Sequence, residues 1–102
     1  MQRVIAFVEQ NIGNSDADVN QMAEAAAVSR SVLQRKMKQL LGVTPLDFIR
    51  EARIKRACQL LRTTDGSVAD IAYKCGFSDP KYFSRSFKQS VGMSPSEYKQ
   101  AI

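Results

Sequence analysis

The 102-residue sequence contains no histidine, only two cysteines, and no apolar run approaching the roughly 20 residues of a membrane span. Each lack excludes something. Without histidine no Ser-His or Cys-His pair can form, which weakens most hydrolytic schemes. Two thiols, Cys58 and Cys75, without an imidazole cannot complete an ordinary structural zinc site. So small a cysteine count suits a reducing compartment better than a disulfide scaffold. Met1 is followed by a stretch carrying Glu9 and Asn11, not the apolar core of a signal peptide. The acidic residues are scattered, with no close pair. The expectations are therefore no enzyme, no catalytic residue, no metal, no cofactor, no membrane contact from this segment, and a cytoplasmic location.

Positive charge is plentiful. Lys and Arg outnumber Asp and Glu by 15 to 10, for a net +5 and an isoelectric point near 9.5. That balance favours an acidic partner such as nucleic acid, although a basic surface alone is weak evidence. Apolar residues recur at helical spacing and no segment alternates like a strand, so the class is all-α. Val4, Ile5, Val8 and Ile12 stripe a first helix, stopped by Gly13. Asp16 or Asp18 can cap a second, about Val19 to Ala26. Ser29 can cap a third, about Arg30 to Leu41, ended by Gly42. Thr44-Pro45-Leu46-Asp47 is a capping box with proline at the first helical position, opening a fourth helix to about Arg62. After the Asp65-Gly66 turn a fifth runs from Ser67 through Lys74. Asp79-Pro80 opens a sixth, ended by Gly92, and Ser94-Pro95-Ser96-Glu97 opens a seventh.

Part of this chain is built twice. Shifted by 50, Arg35 falls on Arg85, Lys38 on Lys88, Gln39 on Gln89, Gly42 on Gly92 and Pro45 on Pro95. Leu33/Phe83, Met37/Phe87, Thr44/Ser94 and Phe48/Tyr98 keep their type. Upstream of the turn the offset is 49, matching Ala23 to Ala72 and Val28 to Phe77. The repeated unit is a short helix, a tight turn, a second helix, a glycine stop and a capping box. Two short helices joined by such a turn form a helix-turn-helix. Ala23 and Ala72 stand where the helices must cross closely, and Gly76 can adopt a left-handed turn conformation. The third helix is expected to bury Leu33, Met37, Leu40 and Leu41 and to expose Arg30, Ser31, Gln34, Arg35 and Lys38. The sixth buries Phe83, Phe87 and Val91 and exposes Lys81, Tyr82, Ser84, Arg85 and Lys88. Neither exposed face contains an acid, and these residue types reach base edges and phosphates in a major groove. A single basic amphipathic helix is usually only a solvated one; two matched copies shift the balance toward DNA.

The stretches "VADIAYKCGFSDPKYFSRSFKQSVGMSPSEYK" and "SRSVLQRKMKQLLGVTPLDFIREARIKRACQLL" resemble the DNA-binding domain of the AraC/XylS transcription regulators. The match covers about Val19 to Ile102. "SRSVLQRKMK" and "DPKYFSRSFK" are most similar to output domains of hybrid two-component regulators. The resemblance implies one AraC-type domain over residues 1–102, with seven helices in two lobes, about 1–43 and about 66–102, joined by a linker helix over about 45–62. That linker of about 18 residues spans roughly 27 Å and would place two recognition helices about one DNA turn, roughly 34 Å, apart. The implied function is sequence-specific binding of double-stranded DNA in a bacterial transcription regulator. Base readers carried over by position are Arg30, Ser31, Gln34 and Arg35 in the first copy and Lys81, Ser84 and Arg85 in the second. Lys38, Tyr82 and Lys88, at the edges, are assigned to phosphate. RNA polymerase is a candidate second partner, and a sensory or effector domain is expected in the full-length chain.

Three features complicate that reading. Ala27 stands where the second copy has Gly76; a left-handed alanine costs about 1 kcal/mol or more, so the first turn is expected to differ in shape. Pro80 has no donor for reading a base and is assigned to starting its helix. Arg50, Arg53, Lys55 and Arg56 on the linker are ambiguous: some could contact phosphate, but most are expected to be solvated or paired with Glu51. The competing function is a helical module that binds protein. Salt separates the two, because DNA binding weakens steeply with ionic strength and an apolar interface does not. An RNA reading is weaker, since exposed aromatics for stacking are nearly limited to Tyr82.

Overall fold

Six side-chain caps divide the chain into its helices. A computed structural model describes residues 2–101, with α1 (Gln2–Asn11), α2 (Val19–Ala25), α3 (Arg30–Leu41), α4 (Pro45–Thr63), α5 (Val68–Lys74), α6 (Pro80–Val91) and α7 (Pro95–Ala101). Each cap gives an orphan N–H of the first turn an acceptor, worth ~1 kcal/mol. Asp18, not Asp16, caps α2 by accepting from the Gln21 amide at 2.9 Å. Ser29 accepts from Val32 at 3.2 Å, Thr44 from Asp47 at 3.1 Å, Ser67 from Asp70 at 3.1 Å, and Asp79 from Lys81 at 2.9 Å. Of the two capping boxes only the second is reciprocal: Ser94 accepts from the Glu97 amide while the Glu97 carboxylate accepts from the Ser94 amide. At Thr44 the shorter Asp47 carboxylate turns to Arg50 instead. Gly42 and Gly92 end α3 and α6 in the left-handed conformation, φ +72° and +95°, which glycine adopts without a Cβ penalty.

The apolar stripes gather into two clusters. The first joins α1, α2 and α3 through Val4, Val8, Met22, Ala23, Leu33 and Met37; the second joins α5 and α6 through Ile71, Ala72, Cys75, Phe77, Phe83 and Phe87. Helix α4 serves both, giving Ile49 to the first and Ile54, Ala57 and Leu61 to the second. At 19 residues it is roughly 28 Å long. The molecule measures 42 × 22 × 21 Å, as two cores in tandem require.

The expected stripe is wrong at one end of α3. Leu33 and Met37 are buried, but Leu40 is 65% exposed and Leu41 46% exposed. Both lie in the last turn of α3. Ile5, expected in the stripe of α1, is likewise exposed, because Val4 and Val8 define the buried line and Ile5 lies ~100° from Val4 around the helix.

Candidate nucleic-acid interface

Each candidate recognition helix is presented by a tight turn, and the two turns are the same at the backbone. In the first, the Ala27 amide donates to the Glu24 carbonyl at 3.0 Å and the Val28 amide to Ala23 at 3.1 Å. In the second, Gly76 donates to Tyr73 at 3.1 Å and Phe77 to Ala72 at 3.0 Å. Ala27 and Gly76 both take positive φ, +59° and +86°. The difference in shape expected from alanine is therefore absent from the hydrogen bonds; Ala27 accepts the left-handed strain, ~1–2 kcal/mol. Ala23 and Ala72 are both buried, so the helices cross closely over a methyl group in each lobe.

Gly76 has a second reason to be glycine. A methyl group there would sit 2.2 Å from the Ile12 carbonyl oxygen and 2.8 Å from Arg53 Nε. The loop after α1 thus presses directly on the turn of the second lobe, and a methyl on Gly13 would meet the Lys74 carbonyl at 3.1 Å. Arg53 closes this junction by donating from Nη2 to the Asn14 carbonyl at 2.9 Å. Burial lowers its pKa, and its buried Nε has no hydrogen-bond partner. Lys55 and Arg56 are exposed, as expected, but Arg50 and Arg53 are half-buried and engaged elsewhere than with Glu51. Arg53 braces the two lobes, Arg50 pairs with Asp47, and Glu51 accepts from the Ser90 hydroxyl at 2.7 Å. Arg53 acts through contacts 39 residues away in sequence; no local pattern marks it.

On α3, Arg30, Ser31, Gln34, Arg35 and Lys38 are all exposed, along one side of the helix. Arg30 lies at 3.4 Å from Asn20 Oδ1 and lines a depression with Leu46 and Arg53. On α6, Lys81, Tyr82, Arg85 and Lys88 are exposed and Ser84 is half-buried. Lys81, Ser84 and Arg85 line one open depression together with Asp79 and Pro80. The one acid there is spent on the helix cap, and Pro80 is the first residue of the helix. Tyr82 packs on Phe77, ring centroids 5.9 Å apart. Its hydroxyl is the main cause that raises the Arg50 pKa, with Asp47 adding to it against the cost of burial. Among the described residues no group of three or more metal-ligating side chains gathers, and no helix is long and apolar enough to cross a membrane.

Two matched turns carrying two basic, outward-facing helices define a double helix-turn-helix domain. Residues 22–101 match the family described as "Helix-turn-helix domain", and the chain belongs to that family, in its AraC-type form, found in DNA-binding transcription regulators. It is 38% identical over 99 residues to histidine kinase P4 of Formosa agariphila, covering 97% of this chain and 7% of the kinase. It is 36% identical over 97 residues to the transcriptional activator RhaS of Escherichia coli, covering 95% of this chain and 34% of RhaS. The chain thus spans about a third of RhaS and far less of the kinase. Among solved structures, the DNA-binding domain of the global transcriptional factor AdpA, in complex with a target DNA, superposes with a TM-score of 0.91. That pair is 32% identical over 98% of this chain and 89% of the other.

Proposed function

We propose that this domain binds double-stranded DNA sequence-specifically, with α3 and α6 entering successive major-groove segments on one face of the duplex. The observation that carries the reading is the duplication: two outward faces without a free acid, each held by the same two backbone hydrogen bonds. Arg30, Ser31, Gln34 and Arg35 read bases from α3, and Lys81, Ser84 and Arg85 from α6. Arginine pairs with guanine, and glutamine with adenine, through two hydrogen bonds each. Lys38, Tyr82 and Lys88 hold phosphates and fix register without carrying sequence information. The likeness to AdpA, whose complex holds DNA, supports the assignment of partner. The likeness to a histidine kinase supports placing the domain as the output end of a hybrid two-component regulator in the cytoplasm, joined to a sensory domain and acting with RNA polymerase. Selection of bound sequences from a random DNA pool tests the proposal. An asymmetric consensus with two half-sites, and affinity that falls steeply with salt, is the expected result. Recovery of no consensus would refute sequence reading.

A further inference from the structure

The inner face of the recognition helix differs between the two lobes. In the second, Phe77 meets Phe83 edge to face at 5.0 Å and Phe83 meets Phe87 tilted at 5.7 Å, and the three rings fill the space behind α6. The matching positions in the first are Val28, Leu33 and Met37, and these smaller side chains leave an open apolar groove of about 400 Å³. Its rim also departs from the second copy. Leu40, 65% exposed, stands where the other lobe has Ser90, and Lys36 stands where it has the buried Ser86. Helix α6 packs against α4, α5 and α7, whereas α3 packs chiefly against α2 and α4. Around α3, Lys36 and Leu40 lie almost diametrically opposite the centre of the face formed by Arg30, Ser31, Gln34, Arg35 and Lys38. The groove therefore stays open when that face is covered.

We propose that the groove between Val28 and Leu40, on the back of the first lobe, docks an acidic amphipathic helix of a partner protein. The inference stands apart from the DNA-reading assignment. The second lobe shows what chemistry suits the space: an aromatic ring fits where the half-buried Val28 leaves room beside the buried Met37. The charge of the partner follows from the rim. Among the described residues, Lys36 is the only charged one lining the groove. The partner's aromatic or leucine side chain enters the groove, Leu40 packs along its apolar face, and a glutamate or aspartate meets Lys36 at the edge. Such an anchor in a water-excluding pocket is the usual seat of binding energy in a helix-in-groove contact.

The test uses a fluorescein-labelled amphipathic peptide with Phe and Leu one helical turn apart and glutamates on its other faces, with a scrambled peptide of the same composition as control. Anisotropy should show saturable binding of the first and not of the second. Leu40→Ser and Lys36→Glu should each weaken binding by about tenfold. The double variant Val28→Phe/Met37→Phe, which fills the groove as the second lobe is filled, should abolish it. Leu40 is exposed, so its variant should keep the wild-type circular dichroism and the wild-type affinity for selected DNA. Equal binding of both peptides, or binding undiminished by Leu40→Ser, overturns the proposal. Sedimentation of the protein alone as a dimer, lost in Leu40→Ser, would assign the groove to a second copy and overturn the acidic partner.

Discussion

The two lobes share a backbone and differ in what surrounds it. Position 27 of the first and position 76 of the second occupy the same place in the same turn, both left-handed. Ala27 is exposed, while Gly76 is pressed against the Ile12 carbonyl and Arg53. Behind the turn, the second lobe is filled by a ladder of aromatic rings and the first is not. A turn geometry can thus be kept by hydrogen bonds alone, while the residue that occupies it is decided by neighbours from elsewhere in the chain. The second lobe is the tightly packed member of the pair, and the first bears the strain and the open space.

The largest expected effect tests whether both lobes read DNA. Inserting about five base pairs between the half-sites turns one to the opposite face of the duplex. Affinity should then fall toward that of a single lobe, a loss on the order of 10²- to 10⁴-fold when linkage is forfeited. An insertion of about ten base pairs restores the face but adds about 34 Å, beyond the reach of α4. Titration on the three spacings at one fixed salt measures this, and equal affinities would leave only one lobe as a reader.

The next test opposes the two turns directly. Gly76→Ala should cost about 2–4 kcal/mol, from left-handed strain plus the collision with the Ile12 carbonyl. Ala27→Gly should instead stabilise, by up to about 1 kcal/mol, because it relieves strain at an exposed site and returns part of the gain as chain entropy. Urea midpoints that shift in the same direction for both variants would break the comparison. A smaller effect is expected at the matched arginines. Arg35→Ala and Arg85→Ala should each lose about 1–3 kcal/mol of specific binding and relax preference at one base pair, with random DNA affected much less. An unchanged selected consensus for both would undo the reader assignment. The smallest effect concerns the cysteines. Cys75 is buried, which pushes its thiol up to about 11, so it carries almost no reactive thiolate near neutral pH. The double Cys→Ala variant should bind DNA as the wild type does. Loss of wild-type binding on mild oxidation, absent in that variant, would reveal a redox switch.

The helices were legible in the sequence because their ends are local chemistry. Ser29, Thr44, Ser67, Asp79 and Ser94 each cap with an amide two or three residues ahead, and Gly42 and Gly92 stop their helices within one residue of the mark. The duplication, and with it the outward faces of α3 and α6, was legible for the same reason. Leu40 and Leu41 were not, since a period shows which residues share a face but not where the covering element ends. Ala27 misled because steric preference predicts a cost, and a turn closed by two hydrogen bonds can bear it. Arg53 was invisible because its partner, Asn14, is brought to it only by the assembled fold.

The two outer faces are unlike: Arg30, Ser31, Gln34 and Arg35 on one, Pro80, Lys81, Ser84 and Arg85 on the other. They are joined in fixed order by one helix and braced by Arg53. A symmetric dimer on a palindrome looks the same from either end. On the proposed reading, two different readers on a single chain do not, so the complex would have a heading along the DNA. Reversing the site would reverse the protein, and a partner docked in the proposed groove on the first lobe would be carried to a chosen flank of the sequence. For a regulator, that heading determines which side of the site, and hence which neighbouring gene, a recruited protein would face.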